Sequence, residues 1–416
     1  MPKNLKLPFT KESIQRLVSQ HPTPFYIYDE AGIRANARAL YKAFSWAKGF
    51  KNYFAVKALP NPNIMKILHE EGMGMDCSSL AELMLCERVN IKAEDVMFTS
   101  NQTPLGEYVK AKTLGAVLNL DDITHIDFVE KNIGLPELVS FRYNPGPLKG
   151  GNSIIGKPEE AKYGLTEAQI LEAFKLVKSK GVKRFGIHTM VASNELNPDY
   201  FVETADILFK LSARVCKETG ITLDFINLGG GVGIPYKLEQ ERVDYNYLSE
   251  HIKGCYDSAL TANGYAPKLF FECGRCITGP YGWLITTAIH EKHIYKEYIG
   301  ADACAANLMR PAMYGAYHHI VVLGKENAPA NNTYDVVGGL CENSDKFAID
   351  RKLPKIELGD LLAIYDTGAH GHAMGYNYNG KTRSAELLLR PDGSAVQIRR
   401  AETQDDLFAT IKFNAI

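Results

Sequence analysis

The feature that most constrains this chain is an alternation. Short apolar runs end at Lys57, Asp76, Thr99, Leu120, Tyr143, His188, Leu228 and Glu272, and amphipathic segments of helical length separate each from the next. The intervening helices are expected at about 63–71, 79–87, 103–113, 122–131, 166–180, 198–219 and 245–262. Candidate caps stand at several of their starts: Ser78 or Ser79, Thr103, Asp121 or Asp122, and Thr166. Eight successive β-α units without a hairpin signal predict an α/β fold, a closed (β/α)8 TIM-type barrel over about residues 30–280. A doubly wound open sheet is the alternative. Beyond Gly279-Pro280 the texture changes to β-rich runs at 283–288, 318–323, 334–337, 361–365, 385–389 and 395–398. These predict a second, C-terminal β-sandwich or open-barrel domain over 281–416. Residues 1–29 are expected to join it, because the run Phe25 to Tyr28 is surplus to the eight.

Composition narrows the partners. The 416 residues are 45% hydrophobic and 23% charged, with a net charge of -1. Such a balance gives no general attraction to nucleic acid or to an anionic membrane. The stretch 1–18 has no uninterrupted apolar core and no later segment reaches membrane-spanning length, so a cytoplasmic location is expected. Eight dispersed cysteines predict reduced thiols. Cys273 and Cys276 form a C-x-x-C pair with no second pair at zinc spacing. His318-His319 and His370-Gly371-His372 lack a completing carboxylate or cysteine. No metal is expected.

In a barrel of this kind reactive groups gather at the C-terminal ends of the strands. The residues there are Lys57, Asp76, Asn119, Arg142, His188, Gly229 to Gly231, and Glu272 with Arg275. Lys57 ends the apolar run Tyr53-Phe-Ala-Val, which delivers its amine to the barrel mouth, although most strand-end lysines simply extend into water. The run Leu228-Gly-Gly-Gly-Val-Gly233 lets backbone N–H groups close around a phosphate, or else serves a tight turn. It falls too late in the chain for a dinucleotide fingerprint. Glu272 follows a strongly apolar strand, so it faces a cation: a pyridinium nitrogen, or Arg275. His188 reads either as a ring stacked on a flat cofactor or as a core histidine.

Together these motifs resemble one family. Phe54-Ala-Val-Lys57-Ala, Leu228-Gly-Gly-Gly-Val-Gly, Glu272-Cys-Gly-Arg275, Leu308-Met-Arg310-Pro-Ala-Met-Tyr314-Gly-Ala-Tyr and Cys341-Glu342-Asn-Ser-Asp345 occur in the order found in fold-type III pyridoxal-phosphate decarboxylases of the alanine-racemase-like barrel group. Within that group the chain is most similar to members acting on meso-2,6-diaminopimelate. The resemblance implies a pyridoxal 5'-phosphate cofactor bonded to Lys57, with His188 stacked on its ring and Glu272 at its pyridine nitrogen. Asp76, Gly230, Gly231, Gly274, Arg275 and Tyr378 complete the cofactor set. Arg275, Arg310, Tyr314, Glu342 and Tyr378 form the substrate set for a small amino acid. The implied catalytic groups are Lys57, His188 and Cys341, and the implied assembly is a homodimer in which Cys341 and Glu342 serve the partner's site.

Three departures stand out. Cys273 replaces the family's usual proline after the strand-eight glutamate. Where many members read His-x-Gly-Ser, this chain reads His188-Thr-Met-Val-Ala-Ser193, which leaves the phosphate-binding serine without an aligned counterpart and makes Ser193, from a longer loop, the expected substitute. A Gly- and Pro-rich insert, 144–163, is expected at the barrel mouth, either covering substrate or as a loose surface loop. The pair Arg310 and Glu342 suits a substrate whose far end carries both a carboxylate and an ammonium. An arginine facing a bare terminal ammonium repels it.

Overall fold

The computed structural model describes residues 5–413, so the first four residues of the N-terminal stretch read above, and the last three of the chain, lie outside it. Two compact units are present. One comprises Arg34–Ile234 and Arg242–Ile277; the other comprises the flanking segments together with Pro235–Glu241. Among the described residues no helix is long and apolar enough to cross a membrane.

Strand β1 (Phe25–Asp29) belongs to the second unit. Eight further strands, β2 (Lys51–Ala55), β3 (Gly74–Cys77), β4 (Val96–Thr99), β5 (Val117–Leu120), β6 (Leu138–Tyr143), β7 (Arg184–Thr189), β8 (Leu223–Asn227) and β9 (Lys268–Phe271), pair in parallel and close into a barrel, β9 returning to β2. Each strand lies within one or two residues of its expected end. The widest offset is at Lys57: β2 stops at Ala55, and Lys57 sits in the 3-10 turn Val56–Ala58 that follows.

Side-chain alternation along the strands divides the barrel interior into levels. An apolar floor is made by Tyr53, Met97, Val117, Leu138, Phe225 and Phe270. The rings of Phe225 and Phe270 stack with centroids 4.8 Å apart, and Tyr53 meets Phe270 edge-on at 5.2 Å. Gly186 belongs to this level, since a Cβ there would come within 2.1 Å of Phe225 Cζ. Two residues further along the strands the inward positions become polar: Asp76, Thr99, Asn119, Ser140, His188, Asn227 and Glu272. All are buried.

The surrounding helices start largely where side chains can cap them. Thr166 forms a capping box with Gln169, and the Ser79 hydroxyl accepts from the Glu82 amide. Two expected caps are displaced. Pro104 is itself the extended residue at the cap position, so that helix begins at Leu105 without a side-chain cap. Asp122 instead caps a turn onto the Thr124 amide, and the helix begins at His125.

A separate β domain follows, as the change of texture predicts. Its strands β10 (Gly282–His293), β11 (Glu297–Ala301), β12 (Ile320–Val322), β13 (Asn332–Val337), β14 (Lys346–Leu353), β15 (Leu361–Ile364), β16 (Ala385–Leu389) and β17 (Ala395–Arg399) form, with β1, one mixed nine-stranded sheet. Strand β1 pairs antiparallel with β10 and parallel with β16. Strands β11 and β14 were not expected, because charged and exposed residues interrupt their apolar pattern. The core gathers Phe9, Ile27, Trp283, Leu361, Tyr365 and Leu387. Beside it lies a buried polar group. Glu386, 1% exposed, accepts from the Tyr28 hydroxyl at 2.7 Å and pairs with Arg399. His372 bonds Ser384 O at 3.1 Å and packs edge-on to Tyr26.

Burial pushes the His372 imidazole down from 6.5 to about 4, against the opposing pull of Glu386. Burial alone raises the Glu386 carboxyl, but His372, Arg399 and Tyr28 together hold it below its ordinary value. Both depressed groups bind protons more readily in the unfolded chain, so both contribute stability at neutral pH that is lost on acidification. We expect the urea-measured unfolding free energy to fall by about 3 kcal/mol between pH 6.5 and pH 4 from His372 alone. His372→Gln should flatten that interval; an unchanged slope would refute the assignment.

Candidate active site

The centre of the barrel's polar level is Glu272, the residue after β9. One carboxylate oxygen meets His188 Nε2 at 2.8 Å; the other accepts from Asn227 Nδ2 at 2.8 Å and lies 3.4 Å from the Thr99 hydroxyl. Burial raises its pKa, yet the facing imidazole, the Arg142 charge and the Asn227 amide hold it below the ordinary carboxylate value. Asp76 goes the other way. Burial and the Glu272 charge lift its carboxyl well above the usual range, while Lys57 and Thr99 draw it down. The two buried carboxyl groups of the polar level are thus shifted in opposite directions.

Lys57 stands exposed between buried neighbours. The loop after β9 packs directly on its turn, since a Cβ at Gly274 would come within 2.9 Å of Ala58 Cβ. Cys273 explains its own departure from proline: its N–H donates to Asn52 Oδ1 at 2.9 Å while Asn52 Nδ2 donates to its carbonyl, a bond that an imino acid cannot make. Cys273 and Cys276 are both buried free thiols.

The glycine loop is required by contact as well as conformation. Gly229 and Gly231 take φ of +68° and +100°, and a Cβ at Gly230 would meet Glu272 O at 2.4 Å. Arg275 Nη2 reaches the Ser193 hydroxyl at 3.5 Å, so the glycine loop, Arg275 and Ser193 form one anion-facing edge. Ser193 is braced by the 144–163 insert: Asn152, 4% exposed, accepts from the Ser193 amide at 3.1 Å and donates to Glu195 at 3.0 Å. The insert is itself anchored, because Lys149 donates to Tyr200 O at 2.9 Å, stacks 3.6 Å over the Tyr200 ring and pairs with Glu203. It is therefore an ordered brace and not a loose loop. With Arg142 and Met190 it lines a tight cleft of about 10 Å³.

His188 is fully buried and bonded through Nε2 to Glu272, one level below the mouth. Residues the sequence reading did not single out are Asn52, Asn227 and Asn152, and Thr99 entered it only as a strand end; Arg142, expected at the mouth, donates to Asp121 at 3.0 Å. A legible signal existed for Thr99 and Asn227: each lies two positions beyond an apolar floor residue. Neither Asn52 nor Asn152 had one.

The other expected residues lie in the second unit. Arg310, 7% exposed, opens the short helix Arg310–Tyr314, bonds His318 Nε2 at 2.8 Å and lies 4.4 Å over the Tyr236 ring. His318 Nδ1 meets Tyr365 O at 2.7 Å, so a single tautomer satisfies both bonds. Cys341 and Glu342 are exposed on a loop tied by Asp345, which accepts from the Leu340 and Ala305 amides at 2.8 and 2.6 Å. The Cys341 amide donates to Asn379 Oδ1 at 2.8 Å, which brings the Tyr378 turn to the same loop. Tyr314 and Tyr378 are 64% and 51% exposed.

The first unit's residues fit the expected cofactor. Among the polar atoms of that unit that are buried without a hydrogen-bond partner are Asp76 Oδ1, Asn119 Nδ2, Arg142 Nε and His188 Nδ1. Such atoms are costly unless a polar ligand meets them. An amine, an ionised carboxylate and a glycine-lined cationic edge match an aldehyde, a ring nitrogen and a phosphate in turn.

Comparison with known proteins agrees. The family profile described as "Pyridoxal-dependent decarboxylase, pyridoxal binding domain" matches residues 30–279. The chain is 43% identical to Protein TabA of Pseudomonas amygdali pv. tabaci, over 97% of this chain and 94% of that protein. It is 35% identical to the diaminopimelate decarboxylase of Methanothermobacter thermautotrophicus, over 94% and 92%. Among solved structures, the diaminopimelate decarboxylase of M. jannaschii in co-complex with L-lysine superposes with a TM-score of 0.88 at 30% identity, covering 95% of this chain and 94% of that one. Barrel, ionised glutamate, glycine loop and whole-length similarity thus converge, and the chain belongs to the pyridoxal-dependent decarboxylases.

Proposed function

We propose that this enzyme decarboxylates meso-2,6-diaminopimelate at its D-centre, giving L-lysine and carbon dioxide, with pyridoxal phosphate held on Lys57. The observation that carries the choice of substrate is Arg310. Its guanidinium is buried and fixed between His318 and the Tyr236 ring, a pre-set cation for a carboxylate at the substrate's far end. Glu342 supplies the matching anion for the distal ammonium. Relatives named diaminopimelate decarboxylase, and solved relatives with L-lysine bound, support this reading.

When bound, pyridoxal phosphate supplies the sink for the electron pair left as carbon dioxide departs. The protein's residues do the rest. Glu272, held ionised, keeps a proton on the pyridine nitrogen. Gly230, Gly231, Gly274, Arg275 and Ser193 take the phosphate, with Arg275 also reaching substrate. Cys341 Sγ delivers the proton that replaces the lost carboxylate at the α-carbon. Cys341 and Glu342 are exposed on their unit, as suits groups that serve the site of a second copy; we propose a homodimer with shared active sites.

Lys57→Ala should abolish both turnover and the visible absorbance of lysine-bound cofactor, and normal turnover in that variant would sink the proposal. In a carbon dioxide release assay over meso-diaminopimelate, D- and L-lysine, ornithine and arginine, diaminopimelate should be strongly preferred. Arg310→Ala should lower kcat/KM for it by about 100-fold or more, the cost of an unpaired buried charge. A preference for ornithine would transfer the assignment to another basic amino acid. Undiminished lysine formation by Cys341→Ala would remove that thiol from the mechanism.

A further inference from the structure

Along β7 the inward positions rise in steps of two. Gly186 lies at the Phe225 floor, His188 at the Glu272 level, and the next inward position, just past the strand's end, is Met190. Met190 is partly exposed between the buried Thr189 and Val191. Its Sδ receives the Gly230 N–H at 3.2 Å, so the thioether lies over the glycine loop. It also lines the cleft beside Arg142 and Tyr163.

The spacing says the same thing independently. Ser193 reaches Arg275 and so occupies the serine place of His-x-Gly-Ser. Counting back three residues from Ser193 arrives at Met190, not His188. The loop after β7 is therefore not lengthened; it is the motif with methionine for histidine and Ala192 for glycine. Backbone contact accommodates that alanine: a Cβ at Gly231 would meet Ala192 O at 2.4 Å, so the facing position must be glycine.

We infer that Met190, and not His188, is the side chain that lies against the face of the pyridoxal ring, with His188 beneath it as the positioning residue for Glu272. The inference rests on the cofactor assignment and is independent of which amino acid is decarboxylated. A thioether against an aromatic ring is a favourable, polarisable contact, worth about 2- to 10-fold in affinity. Unlike an imidazole it carries no titratable proton, so this face of the ring is aprotic and the proton for the α-carbon comes from elsewhere.

The test needs no substrate. The apoenzyme, labelled at its methionine methyls, is titrated with pyridoxal 5'-phosphate, and the Met190 signal is assigned by its loss in Met190→Leu. Ring current should move that methyl upfield as the visible absorbance of bound cofactor grows; an unmoved methyl at full absorbance overturns the inference. Met190→His, read by absorbance, should make the bound cofactor's spectrum respond to pH near the ordinary imidazole value of about 6.5, a response the wild type lacks. If Met190→His is silent there, the inference also fails. His188→Ala should shift the pH profile of the bound cofactor through Glu272, and His188→Gln, whose amide can donate the same bond, should restore it; a methyl shift lost in His188→Gln would count against Met190. Absence of cofactor absorbance in the wild type is a distinct result, which would overturn the cofactor assignment and this inference with it.

Discussion

A buried carboxylate is the constraint on which this site depends. Glu272 is 6% exposed, and an ionised carboxylate at that depth is tolerated because its oxygens are met by His188, Asn227 and Thr99. Each partner comes from a different strand, so the ion ties the ends of β4, β7, β8 and β9 together. Burial, and after it the Glu272 charge, lift the Asp76 carboxyl. The polar level of the barrel is thus organised around one charge and the protons it displaces.

Backbone approach is the second constraint. The loops after β2, β7, β8 and β9 touch one another through atoms that leave no space for side chains: Gly229 against Thr189 O, Gly230 against Glu272 O, Gly274 against Ala58. Buried asparagines then stitch what the glycines bring close. Asn52 holds the Cys273 peptide, and Asn152 holds Ser193 to the insert. The insert, whose composition suggests a surface loop, thereby braces the edge formed by Ser193 and Arg275.

The second unit works differently. Its short turns are fixed by backbone N–H bonds to Asp345 on one side and Asn379 on the other, while Cys341, Tyr314 and Tyr378 face solvent. Arg310 is the exception, buried and oriented by a histidine whose tautomer a carbonyl sets.

By itself the sequence determined the alternation, and with it the barrel, the β domain and the levels along each strand, because side-chain direction in a strand has a period of two and the apolar pattern reports it. Lys57, Glu272, Arg275 and the glycine run were legible for the same reason. The charged strands β11 and β14, the true starts of two helices and the bracing role of Asn152 were not. Tertiary structure alone decided which partner each polar side chain found. Hydrogen bonds such as His188 to Glu272 or Asn52 to Cys273 join residues 84 and 221 positions apart, and no local pattern encodes them. That is why the sequence could present His188 and Met190 two residues apart, while the packed barrel decided which of them lies below and which at the mouth.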